Sequence, residues 1–186
     1  MFLVCVSIGC GRGAAPSASS AAPPAPRPPA DPAAVLFENM RTANNDIDVA
    51  LGDLEEGMKK AKALAPVAGG DAGKALNNVA TFLNSGGEAL SDCDDPAASL
   101  DEFKKDFSAQ DENRLKSIDA AIGALQQVDS ANFVLDDLAD SVPPDKKAAL
   151  EEIANDADEA QDDLRAAVKL MGGTVPADVD AGGGDS

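Results

Sequence analysis

The sequence predicts an all-α protein whose main part is an antiparallel bundle of about four helices. Apolar residues recur at spacings of three and four between Leu36 and Met171. Ala, Leu, Asp, Glu and Lys are abundant, whereas aromatic residues make up only 3% of the 186 residues. This composition favours helices over strands, and it predicts a core of small side chains with modest stability.

The first predicted helix follows Pro32, a suitable first helical residue, and ends at Pro66 before Gly69 and Gly70. Its apolar stripe consists of Leu36, Met40, Ala43, Ile47, Leu51, Leu54, Met58 and Ala61. Asp71 is the predicted cap of a second helix. The stripe of this helix consists of Ala72, Leu76, Val79, Leu83 and Leu90. Gly86 and Gly87 are expected to bend the second helix or to end it early.

A third helix is predicted to start at Asp95 and Pro96, or at Ser99 with Glu102 as a capping box. Its stripe consists of Leu100, Phe103, Phe107, Leu115, Ile118, Ile122 and Leu125, and it resumes with Leu135, Leu138 and Val142. The pattern slips at residues 129–132, which predicts a kink or a short break there.

Pro143 and Pro144 predict a turn, and a last helix then runs from about Asp145 to Gly172 and Gly173. Its inward residues are Leu150, Ile153, Ala157, Ala160, Leu164, Val168 and Met171. Four such helices bury their stripes best as an antiparallel bundle within one chain. The alternative is that the first and last helices pair with copies in another chain, so we expect a monomer or a weak homo-oligomer.

The composition divides the chain into four parts. Residues 1–10 form an apolar segment, residues 11–34 a disordered Pro/Ala/Ser linker, residues 35–172 the acidic bundle, and residues 173–186 a disordered Gly/Asp tail. The apolar segment is too short to span a bilayer and is typical of an export signal. A linker of this length reaches on the order of 70 Å when extended.

Val6-Ser7-Ile8-Gly9-Cys10 resembles the lipobox of bacterial lipoproteins. The resemblance covers only these residues, and Ser7 stands where the family usually has an aliphatic residue. It implies that Cys10 is the lipidation site, that the leader is removed, and that the protein is attached by lipid to a membrane of the cell envelope. No Lys or Arg precedes Phe2, so we expect the natural start to lie upstream of Met1.

The chain contains three cysteines, Cys5, Cys10 and Cys93. With the first lost in the leader and the second lipidated, Cys93 remains without a partner within the chain. We interpret Cys93 as a small buried residue at a helix end, and a disulfide across a dimer is the alternative.

The net charge of −18, from 15 basic and 33 acidic residues, disfavours binding to nucleic acid or to anionic lipid headgroups. The chain has no His, which excludes His-dependent nucleophiles and many metal sites. No cofactor, no catalytic residue and no metal ligand is predicted.

Acidic clusters raise only the question of calcium. The candidates are Asn155, Asp156, Asp158, Glu159, Asp162 and Asp163 on the last helix, Asp92, Asp94 and Asp95 at a helix start, and Asp178 and Asp180 in the tail. The tail segment resembles the opening of an EF-hand loop but lacks the Glu at its twelfth position. For the other clusters, a solvated surface and a favourable helix dipole are the simpler interpretation.

The sequence therefore predicts a non-enzymatic, lipid-anchored protein of the bacterial cell envelope that acts by interaction or scaffolding, with a partner in the envelope. The alternative is a carrier of a small ligand or a divalent cation. An enzyme that uses only carboxylates, Lys and Ser is the least favoured hypothesis.

Overall fold

A computed structural model describes residues 31–177, which contain five α-helices, one 3-10 helix and no strand. The helices are α1 (Pro32–Ala68), α2 (Gly70–Leu90), α3 (Leu100–Lys105), α4 (Phe107–Ala139) and α5 (Lys147–Leu170), and the 3-10 helix is Pro144–Lys146. The all-α prediction is confirmed, but the predicted number of about four helices is wrong. The predicted leader, most of the linker and residues 178–186 of the tail lie outside the described residues.

Helix α1 begins at Pro32 because Asp31 caps it: the Asp31 side chain accepts a hydrogen bond of 3.0 Å from the Ala33 N–H. The helix thus starts inside the range 11–34 that was predicted to be the linker. With 37 residues, α1 is about 55 Å long. It ends at Ala68, and Gly69, the C-cap, has a φ of 66° that suits glycine.

Helix α2 differs from the prediction at both ends. Gly69 precedes its first residue, and Asp71 lies in the first turn, where its carboxylate pairs with Lys74 at 2.8 Å instead of capping. Gly86 and Gly87 do not interrupt the helix. A Cβ on Gly87 would lie 3.3 Å from Leu51 Cδ1, so the missing side chain lets α1 pack closely and offsets the cost of glycine.

The predicted third helix is divided into α3 and α4. Ser99, which was one of the two predicted starts, caps α3. Its side chain accepts a hydrogen bond of 3.3 Å from the Glu102 N–H. The helix breaks at Asp106, where the backbone has φ −128° and ψ 48°. A kink or a short break was predicted at residues 129–132. The break is absent, because α4 runs through these residues with Ala131 fully buried. Ala131 occupies the inward position of this turn, but its small side chain gives only a weak apolar signal in the sequence.

Helix α5 and the turn before it agree with the sequence prediction. Pro144–Lys146 forms the 3-10 turn, and the predicted inward residues are all buried, from Leu150 to Met171. At the C-terminal end, Gly172 has φ 80° and the Gly173 N–H donates to the Val168 carbonyl at 2.8 Å. Val175 is only 9% exposed, so the first residues of the predicted disordered tail 173–186 pack on the bundle.

The four long helices form a closed ring in which α1 packs on α2 and α5, and α4 packs on the same two helices. Neighbours run antiparallel. Gly57 and Ala65 of α1 lie against Leu83 and Gly73 of α2, respectively. Arg114 and Asn132 of α4 bond Met171, just after α5, and Asp158 of α5, respectively. The core is filled largely by Ala and Leu side chains. Its largest fully buried residues are Leu54, Leu76, Leu83, Leu125, Ile153 and Leu164.

Helix α3 lies outside this ring and packs on the N-terminal part of α1. Phe37, Met40 and Phe103 form a second, smaller apolar cluster there. The ring centroids of Phe37 and Phe103 are 5.5 Å apart. Within residues 31–177, no helix is both long and apolar enough to cross a membrane.

Candidate functional site

The predicted lipidation residue, Cys10, lies outside the described residues, as do Asp178 and Asp180 of the EF-hand-like segment. Neither prediction is therefore tested by the structure. The remaining candidates, the two acidic clusters and Cys93, fall inside residues 31–177 and can be located.

The acidic residues of α5 do not converge on one point, because helical geometry directs them to different neighbours. Asp156, Glu159 and Asp163 face α1, whereas Asp158 faces α4. Of the other cluster, Asp95 accepts a hydrogen bond of 3.3 Å from the Asn44 Nδ2. No group of three or more acidic or cysteine side chains in the described range is arranged to hold a metal ion.

Carboxylates of α1 and α5 face each other along the contact between these two helices, which we call the α1–α5 seam. Asp46 and Asp53 stand on the α1 side, opposite Asp156, Glu159 and Asp163. Burial, followed by the charge of Asp163, raises the pKa of Asp46. Burial also raises the pKa of Asp53, with added repulsion from Glu159 and the other two α5 carboxylates. The carboxylates on the two sides of the seam therefore repel one another.

Lys60 compensates part of this charge. Its Nζ lies 2.8 Å from Asp156 Oδ2 and 3.0 Å from Oδ1. The hydrogen bond to Asp156 raises the pKa of Lys60, so the ammonium form is held. This pair explains why Asp156, a calcium candidate from the sequence, serves as a helix-to-helix contact.

A polar pocket lies between α4 and α5, and we call it the α4–α5 pocket. Its volume is about 240 Å³. The side chains that line it are Asp129, Asn132, Phe133, Leu135, Asp136, Ala154, Asp158 and Gln161. Asn132 Nδ2 donates to Asp158 Oδ1 at 2.9 Å, but Asn132 Oδ1 and Gln161 Nε2 are buried without a hydrogen-bond partner.

An open groove of about 460 Å³ lies along the contact between α1 and α2. Its apolar wall consists of Leu51, Leu54, Met58, Leu83 and Gly87, and its polar rim of Glu55, Asn84, Glu88 and Ser91. The groove has a larger volume than the α4–α5 pocket, but no unpaired buried polar atom is found among its lining residues.

Cys93 follows α2, is half-buried, and forms no disulfide among the described residues. Burial raises the pKa of its thiol, and a hydrogen bond from Ser117 works in the opposite direction. This position agrees with the interpretation of a small residue at a helix end, although Cys93 is half-buried where full burial was expected.

Sequence reasoning missed Asn132 and Gln161. Gln161 is 4% exposed and lies four residues after Ala157 and three before Leu164, both of which are on the inward stripe of α5. A polar residue at an inward position was the signal that could have identified it. Asn132 gives no such signal, because it lies where the apolar pattern slips and predicts a kink or a short break.

Comparison of the chain with protein families, with curated proteins and with solved structures gives no match in any of the three. The function must therefore be inferred from the residues and their geometry.

Proposed function

We propose that this chain is an exported, lipid-anchored protein of the bacterial cell envelope whose helical body acts by interaction or scaffolding and not by catalysis. The observation that carries the proposal is the lipobox-like segment ending at Cys10, followed by a Pro/Ala-rich spacer and a folded body that begins at Asp31. Cys10 bears the lipid in this proposal, and the leader before it is removed.

The geometry of the N-terminal end of α1 supports a tethered body. Asp31 caps α1 and also forms an ion pair with Lys104 of α3, so the chain joins the body at a fixed point. Residues 11–30 remain as the spacer, which at about 3.1 Å per residue extends on the order of 60 Å. In this proposal the lipid anchors the chain to the membrane, and the spacer lets the bundle reach an envelope partner.

The surface supports interaction with a protein or a small cation and disfavours nucleic acid. The net charge of −18 would repel phosphates, and the α1–α5 seam concentrates part of it. We propose a monomer or a weak homo-oligomer in which the four long helices bury their stripes on one another.

Metabolic labelling with a fatty acid tests the anchor. The full chain should incorporate label, Cys10→Ala should lose it, and Cys93→Ala should retain it as the matched control. Label that persists in Cys10→Ala, or an unlabelled parent chain, would contradict the proposed anchor.

Chemical crosslinking in the native envelope tests the interaction role. We expect an adduct with another envelope protein that disappears when Cys10→Ala releases the chain from the membrane. An envelope in which the chain remains uncrosslinked would contradict the scaffolding role.

A second function is a carrier of a small ligand or a divalent cation. The α4–α5 pocket supports the small-ligand version, since Asn132 and Gln161 keep unpaired polar atoms there. A ligand that binds only the folded state raises its melting temperature. A titration with calcium that leaves the melting temperature unchanged would remove the divalent-cation version of this function.

A further inference from the structure

The α4–α5 pocket contains two polar side-chain atoms that have no hydrogen-bond partner among the described residues. On α4, Asp129, Asn132 and Asp136 follow one another at spacings of three and four, so they share a face. On α5, Asp158 and Gln161 are three apart and meet that face. The two helices thus bring five polar side chains around one space of about 240 Å³.

Gln161 and Asn132 each bury one side-chain polar atom that has no hydrogen-bond partner among the described residues. Gln161 is 4% exposed, and its Nε2 has no hydrogen-bond partner. Asn132 donates to Asp158 through Nδ2, but its Oδ1 is buried and accepts no hydrogen bond. Buried polar atoms in proteins are normally paired, so Asn132 Oδ1, which is an acceptor, and the Gln161 amide mark the place in the pocket where a polar group would bind.

The charge of the pocket selects a cation as that occupant. Asp129, Asp136 and Asp158 line it, and these three residues carry carboxylates. Burial raises the pKa of Asp158 and the hydrogen bond from Asn132 lowers it. Repulsion from Asp162 and Asp136 raises it further, and the positive charge of Arg165 lowers it. A positive group in the pocket would relieve that repulsion.

The arrangement suits an organic cation better than a bare metal ion. The three carboxylates do not form a group that could hold a metal, and no such group occurs in residues 31–177. An ammonium group carries several N–H donors at different directions and can bind acceptors that are spread apart. Phe133, which is 69% exposed, lies at the edge of the pocket and offers a ring to the methylene stem or to the charge.

We propose that the α4–α5 pocket binds the primary ammonium group of a small free alkyl amine. Asn132 Oδ1 accepts one N–H, the carboxylates of Asp136 and Asp158 balance the charge, and Gln161 binds through its amide. A half-turn of that amide about its last torsion places Oε1 where Nε2 now stands. The volume is below the roughly 300–1,000 Å³ of sites for drug-sized ligands, which suits an ammonium group on a short chain.

This inference rests on the carrier function proposed above and names its ligand class. It is independent of the lipid anchor, since labelling at Cys10 and binding in the pocket are measured separately. Failure of the chain to incorporate fatty acid would not contradict binding in the pocket. Failure of the pocket to bind an amine would not contradict the lipid anchor.

The test titrates 1,4-diaminobutane into the full chain while the side-chain amide signals of Asn132 and Gln161 are followed by NMR. Sodium chloride at equal ionic strength and the neutral 1,4-butanediol are the reference titrants. We expect saturable shifts of both amides with the diamine and none with either reference. Shifts spread evenly over the acidic surface, or shifts equal to those with sodium chloride, would overturn the proposal.

Gln161→Met separates binding from folding, because methionine keeps the volume and removes the unpaired amide. We expect its affinity for the diamine to fall about tenfold, or roughly 1.4 kcal/mol at 25 °C, while its melting temperature stays level or rises. Gln126→Met, on an exposed position of α4, is the matched control and should bind as the parent does. Equal affinity in the two variants would overturn the role of Gln161.

Discussion

Lys60 of α1 and Asp156 of α5 form an ion pair across the α1–α5 seam, with Nζ 2.8 Å from Oδ2. The side chains are 30% and 16% exposed, so the pair is partly shielded from water. Gly57, one turn earlier on α1, would place a Cβ 3.3 Å from Asp156 Cβ. The ion pair therefore forms where the two helices approach closely, and the absence of a side chain at Gly57 permits that approach.

Lys60→Met should lower the stability of the bundle more than Lys59→Met does. Lys59 pairs with Glu55 at 3.6 Å through side chains that are 61% and 58% exposed, and such a surface pair changes stability by less than about 1 kcal/mol. Lys60→Met leaves the Asp156 side chain, only 16% exposed, beside other carboxylates and without its ion-pair partner. Urea unfolding of the two variants measures the difference, and equal midpoints would contradict the role of the pair.

The same pair has a predicted pH dependence. The hydrogen bond to Asp156 raises the pKa of Lys60 above its ordinary value of 10.5. Its contribution to stability is therefore complete below pH 10.5 and is lost as the pH rises through the higher pKa of the folded state. The stability difference between the parent and Lys60→Met should shrink over that alkaline range.

Asp53→Asn should stabilise the protein at pH 7. Burial, with repulsion from Glu159 and its neighbours, raises the pKa of Asp53 above 3.8, so the charged form is unfavourable in the folded state. The gain is present at neutral pH and vanishes as the pH falls through the raised pKa towards 3.8, since Asp53 is then protonated in the parent too. Solvent screening keeps the gain below about 1 kcal/mol.

Asp48→Asn is the matched control for this prediction, because it removes the same charge from an exposed position of α1. Thermal unfolding of both variants between pH 7 and pH 4 separates the local effect from the general relief of the net charge. If both variants gave the same pH profile, the crowding of carboxylates at the seam would not explain the effect.

Phe103→Ala should cost about 3–5 kcal/mol of stability, the range for a large buried aromatic residue. Phe103 is fully buried, 5.5 Å from the ring centroid of Phe37 and 5.7 Å from that of Phe107. Because its cluster is separate from the main core, α3 and the first turns of α1 should lose hydrogen-exchange protection first. Phe133→Ala, at 69% exposed, should change stability by no more than about 0.5 kcal/mol.

The sequence was most informative where periodicity and capping agreed. The predicted inward residues of the last helix are all buried, although Gln161 and Ala167 were not among them. Pro32 is the first residue of α1, and Ser99, one of the two predicted starts, caps α3. The break at Asp106 could not be predicted, because Phe103 and Phe107 continue one stripe in the sequence. In the structure, Phe103 is buried against α1 while Phe107 is 45% exposed.

The glycines and the pocket show why the rest escaped prediction. Gly86 and Gly87 lower helix propensity, but their contacts with Leu54 and Leu51 depend on how α1 and α2 are placed in space. Asn132 and Gln161 are 29 residues apart in the numbering and meet only after α4 and α5 pack. Local sequence contains propensities, whereas these features arise from tertiary packing.

One substitution, glycine to alanine, should have opposite effects at Gly52 and Gly73. Gly52 is an exposed position within α1 where a Cβ would meet nothing within 4 Å, so Gly52→Ala should add about 0.5–1 kcal/mol of stability. A Cβ on Gly73 of α2 would lie 2.5 Å from the Ala65 carbonyl oxygen of α1. Because that oxygen is backbone, Gly73→Ala must shift the start of α2 and should cost about 1–3 kcal/mol. Urea unfolding with an unchanged slope measures both effects, and a stabilised Gly73→Ala would show that the α1–α2 turn is looser than this contact requires.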